Sequence, residues 1–228
     1  DMGRIGHFVA PRGDGLERSQ LAHDLMYLTR GQPVVYYGDE QGFVGDGSQG
    51  GGDKDARQSL FATQVDEYAD QALLDGTPAG SVDRYDTDAP LYAHVAALAD
   101  LRASTPALTD GAQVERYADG PVYAFSRVGD DDVEHLVAVN NAASAATVTL
   151  DALTPGATFT PLLTTSGTDT VAGATATAGA DGALTLTVPA YGALVLRADA
   201  PVATGDDTVT LSAPGAGAAL SGLAEAPK

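Results

Sequence analysis

The chain has no cysteine. That excludes disulfides, thiolate zinc sites and cysteine nucleophiles together. It leaves the compartment open, because export does not require disulfides. Tryptophan is also missing, and the aromatics of the C-terminal half are scattered. The sequence therefore shows no row of exposed rings there of the kind a carbohydrate-binding platform presents. Positive charge is scarce, with 12 Lys and Arg against 31 Asp and Glu and a net charge of -19. Such a surface repels phosphate backbones and anionic lipid, so nucleic acid and membrane partners are not expected, while neutral or cationic ligands stay open. Acidity also favours solubility by itself. No apolar run reaches the roughly 18 residues of a membrane span. The opening Asp1-Met2-Gly3-Arg4 has no basic region followed by an apolar one, so no signal peptide is in view. His7, His23, His94 and His135 share no metal-ligand spacing and read as isolated surface or core histidines.

What is present is a globular composition, 44% hydrophobic over 228 residues, enough for one large domain or two modest ones. The character changes about halfway. In the first part, Leu21, Leu25 and Leu28, with Ala22 alongside, predict a helix over 16–30, ended by Gly31 and Pro33. The β-branched and aromatic run Val34-Val35-Tyr36-Tyr37 then predicts a strand buried on both sides. Helix, glycine turn and buried strand together form the unit of a parallel α/β sheet. The Gly- and carboxylate-rich loop after it leaves the C-terminal end of that strand, the face where α/β barrels place their chemistry. A short helix is expected over 56–63, irregular structure over 64–88, and a second good helix from Pro90 to about 103–105, with a Leu91, Val95, Leu98, Leu101 stripe.

From about 112 the period becomes two. In Val148-Thr149-Leu150 and Leu184-Thr185-Leu186-Thr187-Val188, apolar residues face one way and threonines the other. About seven or eight strands in an antiparallel sandwich are expected, with a hairpin turn at Asp181-Gly182. The tail carries one more strand-like piece, Thr208 to Leu211, and reads as a linker with either the start of a further module or a disordered end.

Gly45-Asp46-Gly47-Ser48-Gln49-Gly50 fits G-x-G-x-x-G, but Asp39, Glu40, Asp46 and Asp53 would surround a pyrophosphate with negative charge, so a Gly-rich loop is preferred to a dinucleotide site. Lys54 does not make a P-loop, because it stands between Asp53 and Asp55. Asp39, Glu40, Asp46, Asp53 and Asp55 could ligate calcium through oxygen, yet they lack EF-hand spacing and read first as solvated loop charges. Ser19 and Ser59 lie in no nucleophile-elbow context.

Five stretches then resemble one family in the right order. Asp1-Met2-Gly3-Arg4-Ile5-Gly6-His7-Phe8 resembles the stretch directly behind the Asn-His pair in the fourth signature region of the alpha-amylase family. Gly31 to Gly42 (GQPVVYYGDEQG) resembles that family's last barrel strand and its turn, and Gly51 to Gln58 (GGDKDARQ) the loop beyond. Ala97-Leu98-Ala99-Asp100-Leu101-Arg102 resembles the last barrel helix, and Val137-Ala138-Val139-Asn140-Asn141 a strand of the closing β-sandwich. The resemblance covers roughly residues 1–198.

It implies an α/β plus all-β chain, the last βα units of a (β/α)8 barrel over 1–108 followed by an antiparallel β-sandwich over 109–198; residues 199–228, outside the resemblance, are taken as linker and truncated module from their own composition. It implies a retaining glycosidase acting on α-glucosidic bonds of starch-like polysaccharides, with two carboxylates about 5 Å apart. Those two residues belong to earlier strands that this chain does not contain, and the Asn and His expected just before Asp1 are absent as well. Asp1 resembles the third carboxylate, which holds sugar hydroxyls and stabilises the transition state. Arg4 is a supporting candidate, with a structural salt bridge as the competing role. The resemblance further implies an α-glucan partner, a secreted parent and no required cofactor. Calcium is common in the family, but its usual ligands lie elsewhere. Substrate-binding and metal-binding residues are left unassigned, and the isolated chain is expected to be inactive. The competing reading is a non-catalytic β-sandwich binding or adhesion module.

Overall fold

The protein is described by a computed structural model over residues 3–45, 55–167 and 169–202. Asp1, most of the G-x-G-x-x-G stretch and the Thr208 to Leu211 piece lie outside the described residues. The helical half contains α1 (Ile5–Val9), α2 (Gly15–Leu28), α3 (Asp66–Ala69), α4 (Pro90–Ser104) and α5 (Pro106–Thr109). The strands are β1 (Ala112–Asp119), β2 (Val122–Val128), β3 (Val133–Asn140), β4 (Ala146–Asp151), β5 (Thr158–Ser166), β6 (Asp169–Thr170), β7 (Ala176–Thr177), β8 (Ala183–Val188) and β9 (Ala193–Pro201).

The two long helices form where the leucine spacing places them, but their inner faces are less apolar than that spacing suggests. In α2 the buried side chains include Gln20, His23 and Asp24 beside Leu21, Tyr27 and Leu28, while Leu25 of the expected stripe is 37% exposed. In α4 the buried face is Leu91, His94, Leu98 and Arg102. The polar residues meet one another. His94 Nε2 lies 2.9 Å from Asp24 Oδ1, and Gln20 Nε2 lies 2.9 Å from His94 Nδ1. The Gln20 amide nitrogen can only donate, so His94 Nδ1 accepts from it, and Nε2 faces the Asp24 carboxylate. Asp24 Oδ2 also accepts from the Thr165 hydroxyl at 3.3 Å, and that hydroxyl accepts from the Ala193 backbone N–H at 2.8 Å. A buried polar seam thus joins α2, α4 and the sheet, although Gln20 Oε1, Asp24 Oδ1 and His94 Nε2 make no well-formed hydrogen bond among the described residues. His94 is therefore half of a buried pair, not an isolated histidine.

The carbonyls at the C-terminal end of α2 are met by two arginines. Arg102 donates to the carbonyls of Tyr27, Thr29 (3.3 Å) and Gly31 (2.7 Å). Arg127, fully buried, donates to those of Leu28 and Gly111, both at 3.0 Å.

Beyond Gly31 the chain departs from expectation. Residues 32–36 form no strand. Val34 is 74% exposed, Tyr36 43% and Tyr37 40%. An apolar run becomes a buried strand only when neighbours pair with its backbone and cover both faces, and none of the described residues does so here. The short helix expected over 56–63 is also replaced by turns and irregular backbone.

The C-terminal half is an antiparallel sandwich of unequal sheets. The larger runs β1-β2-β3-β9-β5-β6, with β7 also on β5, and the smaller is β4-β8. Between them lies a core that includes Leu136, Phe159, Leu194 and Leu196 from the large sheet and Val148, Leu150, Leu184 and Leu186 from the small one. The threonines of β4 and β8 face outward as the alternation predicts and pair across the strands, Thr147 with Thr187 at 2.9 Å and Thr149 with Thr185 at 2.8 Å. Asp181-Gly182 does turn the chain, with Gly182 at φ +87°. It joins no hairpin, however: β7 before it pairs with β5 and β8 after it pairs with β4. The turn carries the chain from one sheet to the other.

Candidate functional site

Arg4 caps the start of α1, with extended backbone at φ -67°, ψ 164°. Its N–H donates to the Gly45 carbonyl at 3.1 Å, and its own carbonyl accepts from the His7 N–H at 3.0 Å. These bonds fix the root of the side chain against the segment after Val34 to Tyr37. That segment folds back through a 3-10 turn, Asp39–Gln41, with Gly38 at φ +89°. A side chain at Gly38 would be strained there and would place its Cβ 2.5 Å from a Phe43 ring carbon. The Gly38 carbonyl accepts from Gln41 and Phe43, and the Glu40 carboxylate accepts from the Gly38 N–H at 2.8 Å.

The turn delivers Asp39 to Arg4. Arg4 Nη1 donates to Asp39 Oδ1 at 2.9 Å and to the Tyr37 carbonyl at 2.6 Å. The Arg4 side chain is 1% exposed and that of Asp39 13%. The guanidinium carbon sits 4.5 Å from the Tyr36 ring centroid, 5.0 Å from that of Tyr37 and 5.3 Å from that of Phe43. Aromatic faces thus share the cation with the carboxylate. Burial pushes the Asp39 carboxyl above its ordinary value, and the Arg4 hydrogen bond and charge pull against that rise without cancelling it. Burial likewise raises the Tyr37 phenol, helped by Tyr36. Arg4 Nε and Nη2 are buried with no hydrogen-bond partner among the described residues. Unmade bonds on a buried cation are costly.

Asp1 lies outside the described residues, three positions before this arginine. The carboxylates weighed as calcium ligands divide up differently: Asp39 is committed to Arg4 and Glu40 to its own turn. Asp46 and Asp53 are not described. Among the described residues no group of three or more histidines and carboxylates is placed to hold a metal ion. In the sequence Asp39 reads as a solvated loop charge, and its partnership with Arg4 goes unseen. The available signal is its place in Tyr36-Tyr37-Gly38-Asp39, directly behind the strand-like run. The arrangement can hold a fixed positive charge, two aromatic rings and a neighbouring carboxylate at one open edge of the helical half.

Comparison with known proteins covers both halves of the chain. Residues 117–199 match the family described as alpha amylase, C-terminal all-beta domain. An alpha-amylase of Streptomyces lividans is 46% identical over 96% of this chain, which spans 24% of that protein. A cyclomaltodextrin glucanotransferase of Paenibacillus macerans is 29% identical over 66% of this chain and 18% of its own length. Among solved structures, an Anoxybacillus alpha-amylase superposes with a TM-score of 0.61 at 21% identity, over 90% of this chain and 37% of that one. A cyclomaltodextrin glucanotransferase with a three-domain distribution superposes at 0.60 and 25% identity, over 86% and 34%. The antiparallel sandwich, the match to the C-terminal domain and the likeness that runs on through the helices agree, and the chain belongs to the alpha-amylase family.

Proposed function

We propose that the chain is a piece of a secreted, retaining glycosidase that cleaves α-glucosidic bonds in starch-like polysaccharides. The observation that carries this reading is the 46% identity to the Streptomyces lividans alpha-amylase across 96% of the chain, helices as well as sandwich. A free-standing binding module would need only the sandwich, so that alternative is not favoured.

In this reading the helical half is the end of a (β/α)8 barrel, with α2 and α4 as its last two helices and residues 33–37 as its last strand. Support comes from the exposed apolar run at Val34 to Tyr37 and from the unfilled Nε and Nη2 of Arg4. Both are what a barrel edge presents when the strands beside it belong to another part of the protein. The partner is an α-glucan chain or oligosaccharide, and no step relies on a cofactor.

Asp1 takes the role of third carboxylate, accepting hydrogen bonds from two sugar hydroxyls as the ring distorts toward a cation-like transition state. Arg4 is a positioning residue. Held by Asp39 and the Tyr37 carbonyl, it keeps two N–H bearing nitrogens for groups arriving from the rest of the site. The nucleophile and the acid/base residue come from earlier strands of the parent.

The purified 228-residue chain is expected to release no reducing sugar from soluble starch above a no-protein blank. In the parent, Asp1→Asn is expected to lower kcat by about 10²- to 10³-fold, the usual loss when one preorganised electrostatic contact to a transition state is removed. An active isolated chain, or a parent indifferent to Asp1→Asn, overturns the assignment.

A further inference from the structure

Away from Arg4, the irregular stretch between the two long helices exposes two rings. Phe61 is 61% exposed and Tyr85 55%, yet their centroids lie 5.4 Å apart with the planes at 67°. The rings belong to two segments fastened together by hydrogen bonds. The Arg84 N–H donates to the Leu60 carbonyl at 2.6 Å, the Ala62 N–H to the Asp83 carboxylate at 2.8 Å, and the Thr63 N–H to the Gly80 carbonyl at 3.1 Å. The Arg84 side chain ties the turn beneath them by donating to Ala79 and Pro78 carbonyls. Leu60, between the aromatic segment and the interior, packs on Phe43, Leu73 and Ala79. The two rings are thus presented on a rigid support.

That support is continuous with the candidate site. Gln41, in the same turn as Asp39, donates to the Asp86 carbonyl at 2.9 Å and accepts from the Asp86 N–H at 3.3 Å. Phe43, which lies under the Arg4 guanidinium, is also the centre of the cluster that carries Leu60.

We propose that Phe61 and Tyr85 form a stacking platform for an α-linked glucan chain, an accessory contact beside the site of the preceding reading, on which it rests. The chemistry selects the ligand. Exposed carboxylates at Asp83 and Asp86 flank Tyr85, and the whole chain carries a net charge of -19, so an anionic ligand is repelled. Those same carboxylates accept hydrogen bonds from hydroxyls. Ring faces take the apolar C–H face of a pyranose, as they take other apolar surface. The two rings meet edge to face with their planes at 67°, so together they form a bent surface and not a flat one. A flat or straight ligand would meet only one of them. An α-linked glucan curves in this way and a β-linked one runs straighter.

The test is electrophoresis of the full chain through native gels containing glycogen, with a soluble β-linked glucan as comparison. Glycogen is expected to retard the chain and the β-linked glucan is not. The Phe61→Ala/Tyr85→Ala double variant is expected to bind glycogen about tenfold or more weakly, the loss expected from withdrawing one to two apolar ring contacts. Phe8→Ala, which removes a ring 48% exposed elsewhere, is expected to migrate as the unaltered chain does. Both variants alter exposed rings, and an unchanged thermal midpoint shows that each is folded. No retardation of the unaltered chain, equal retardation by the β-linked glucan, a double variant that binds normally, or equal loss with Phe8→Ala each overturns the platform. Because this measurement involves no hydrolysis, a failure here is distinct from a failure of the parent to cleave starch.

Discussion

His135 shows what a single buried residue contributes. It lies on the helix-facing side of β3, opposite Arg197 of β9, with Nδ1 3.1 Å from the Val133 carbonyl. It is 4% exposed. Burial, aided by the Arg197 charge, lowers the imidazole below its ordinary value of 6.5, and the Val133 carbonyl and Asp131 oppose this only in part. The unfolded chain therefore takes up this proton at a higher pH than the folded chain does. The stability contribution is complete above 6.5 and is lost as pH falls through the lower folded value. His135→Gln keeps a donor for the Val133 carbonyl and removes the titration. Its thermal midpoint is expected to fall less than that of the unaltered protein between about pH 7 and 5, and parallel profiles would refute the assignment. His135 is legible in the sequence as an isolated core histidine. His94 is not, because Asp24 and Gln20 are distant in sequence and look like ordinary polar residues of a surface helix. The aromatic pair Phe61 and Tyr85 is hidden for the same reason. Neither ring has a neighbour in sequence that announces the other.

Elements are legible where their own residues decide them. Pro90 and Pro106 bracket α4, and the leucines of α2 repeat at helical spacing ahead of Gly31. The alternation in β4 and β8 fixes both pairing and face. The segment from Val34 to Tyr37 misleads because a strand buried on both sides depends on neighbours that its own residues cannot supply. The connection at Asp181-Gly182 is legible as a turn and not as a change of sheet, since turn chemistry is local and strand partners are not. Asn140 ties one such connection. Its amide nitrogen donates to the carbonyls of Ser144 (2.9 Å), Val188 (3.2 Å) and Pro189 (3.0 Å), and its oxygen accepts from the Ala142 N–H at 2.9 Å. One side chain therefore holds the exit from β3 against the passage from β8 to β9. Asn140→Ala is expected to cost about 2–3 kcal/mol, because buried carbonyls lose their donor. Asn140→Asp is expected to cost at least as much at neutral pH, since it sets a carboxylate against those carbonyls. Urea midpoints should fall in both with little change in slope. A loss within about 0.5 kcal/mol, the range of ordinary surface substitutions, would mean that the strands hold the connection unaided.

At the scale of the whole molecule, the large sheet has two buried faces. One faces β4 and β8. The other, with Phe125, Val137, Val139, Leu163 and Val195, shares a core with Leu21, Tyr27 and Leu28 of α2 and Leu98 of α4. The change of composition near residue 108 marks where the chain turns from helices to strands, and the shared core means that it does not mark where stability divides. Polar contacts cross the same junction: Asp24 with Thr165, Arg127 with the Leu28 carbonyl, and Tyr191, whose hydroxyl donates to Asp14 and accepts from Arg18 at 2.8 Å. Residues 106–202 alone would expose five large apolar side chains, each worth about 1.5–3 kcal/mol when buried. The sum, on the order of 10 kcal/mol, matches the whole net stability of a typical domain. The full chain is therefore expected to melt in one cooperative transition, and the 106–202 piece to melt broadly or not at all and to bind a hydrophobic dye at neutral pH. A sharp melt of that piece within a few degrees of the full chain would show that the core between the two sheets suffices. The helices would then be passengers on the sandwich. If the piece fails to fold, the helices are structurally required by the sheet they cover, and the sandwich in this protein is one layer of a larger body.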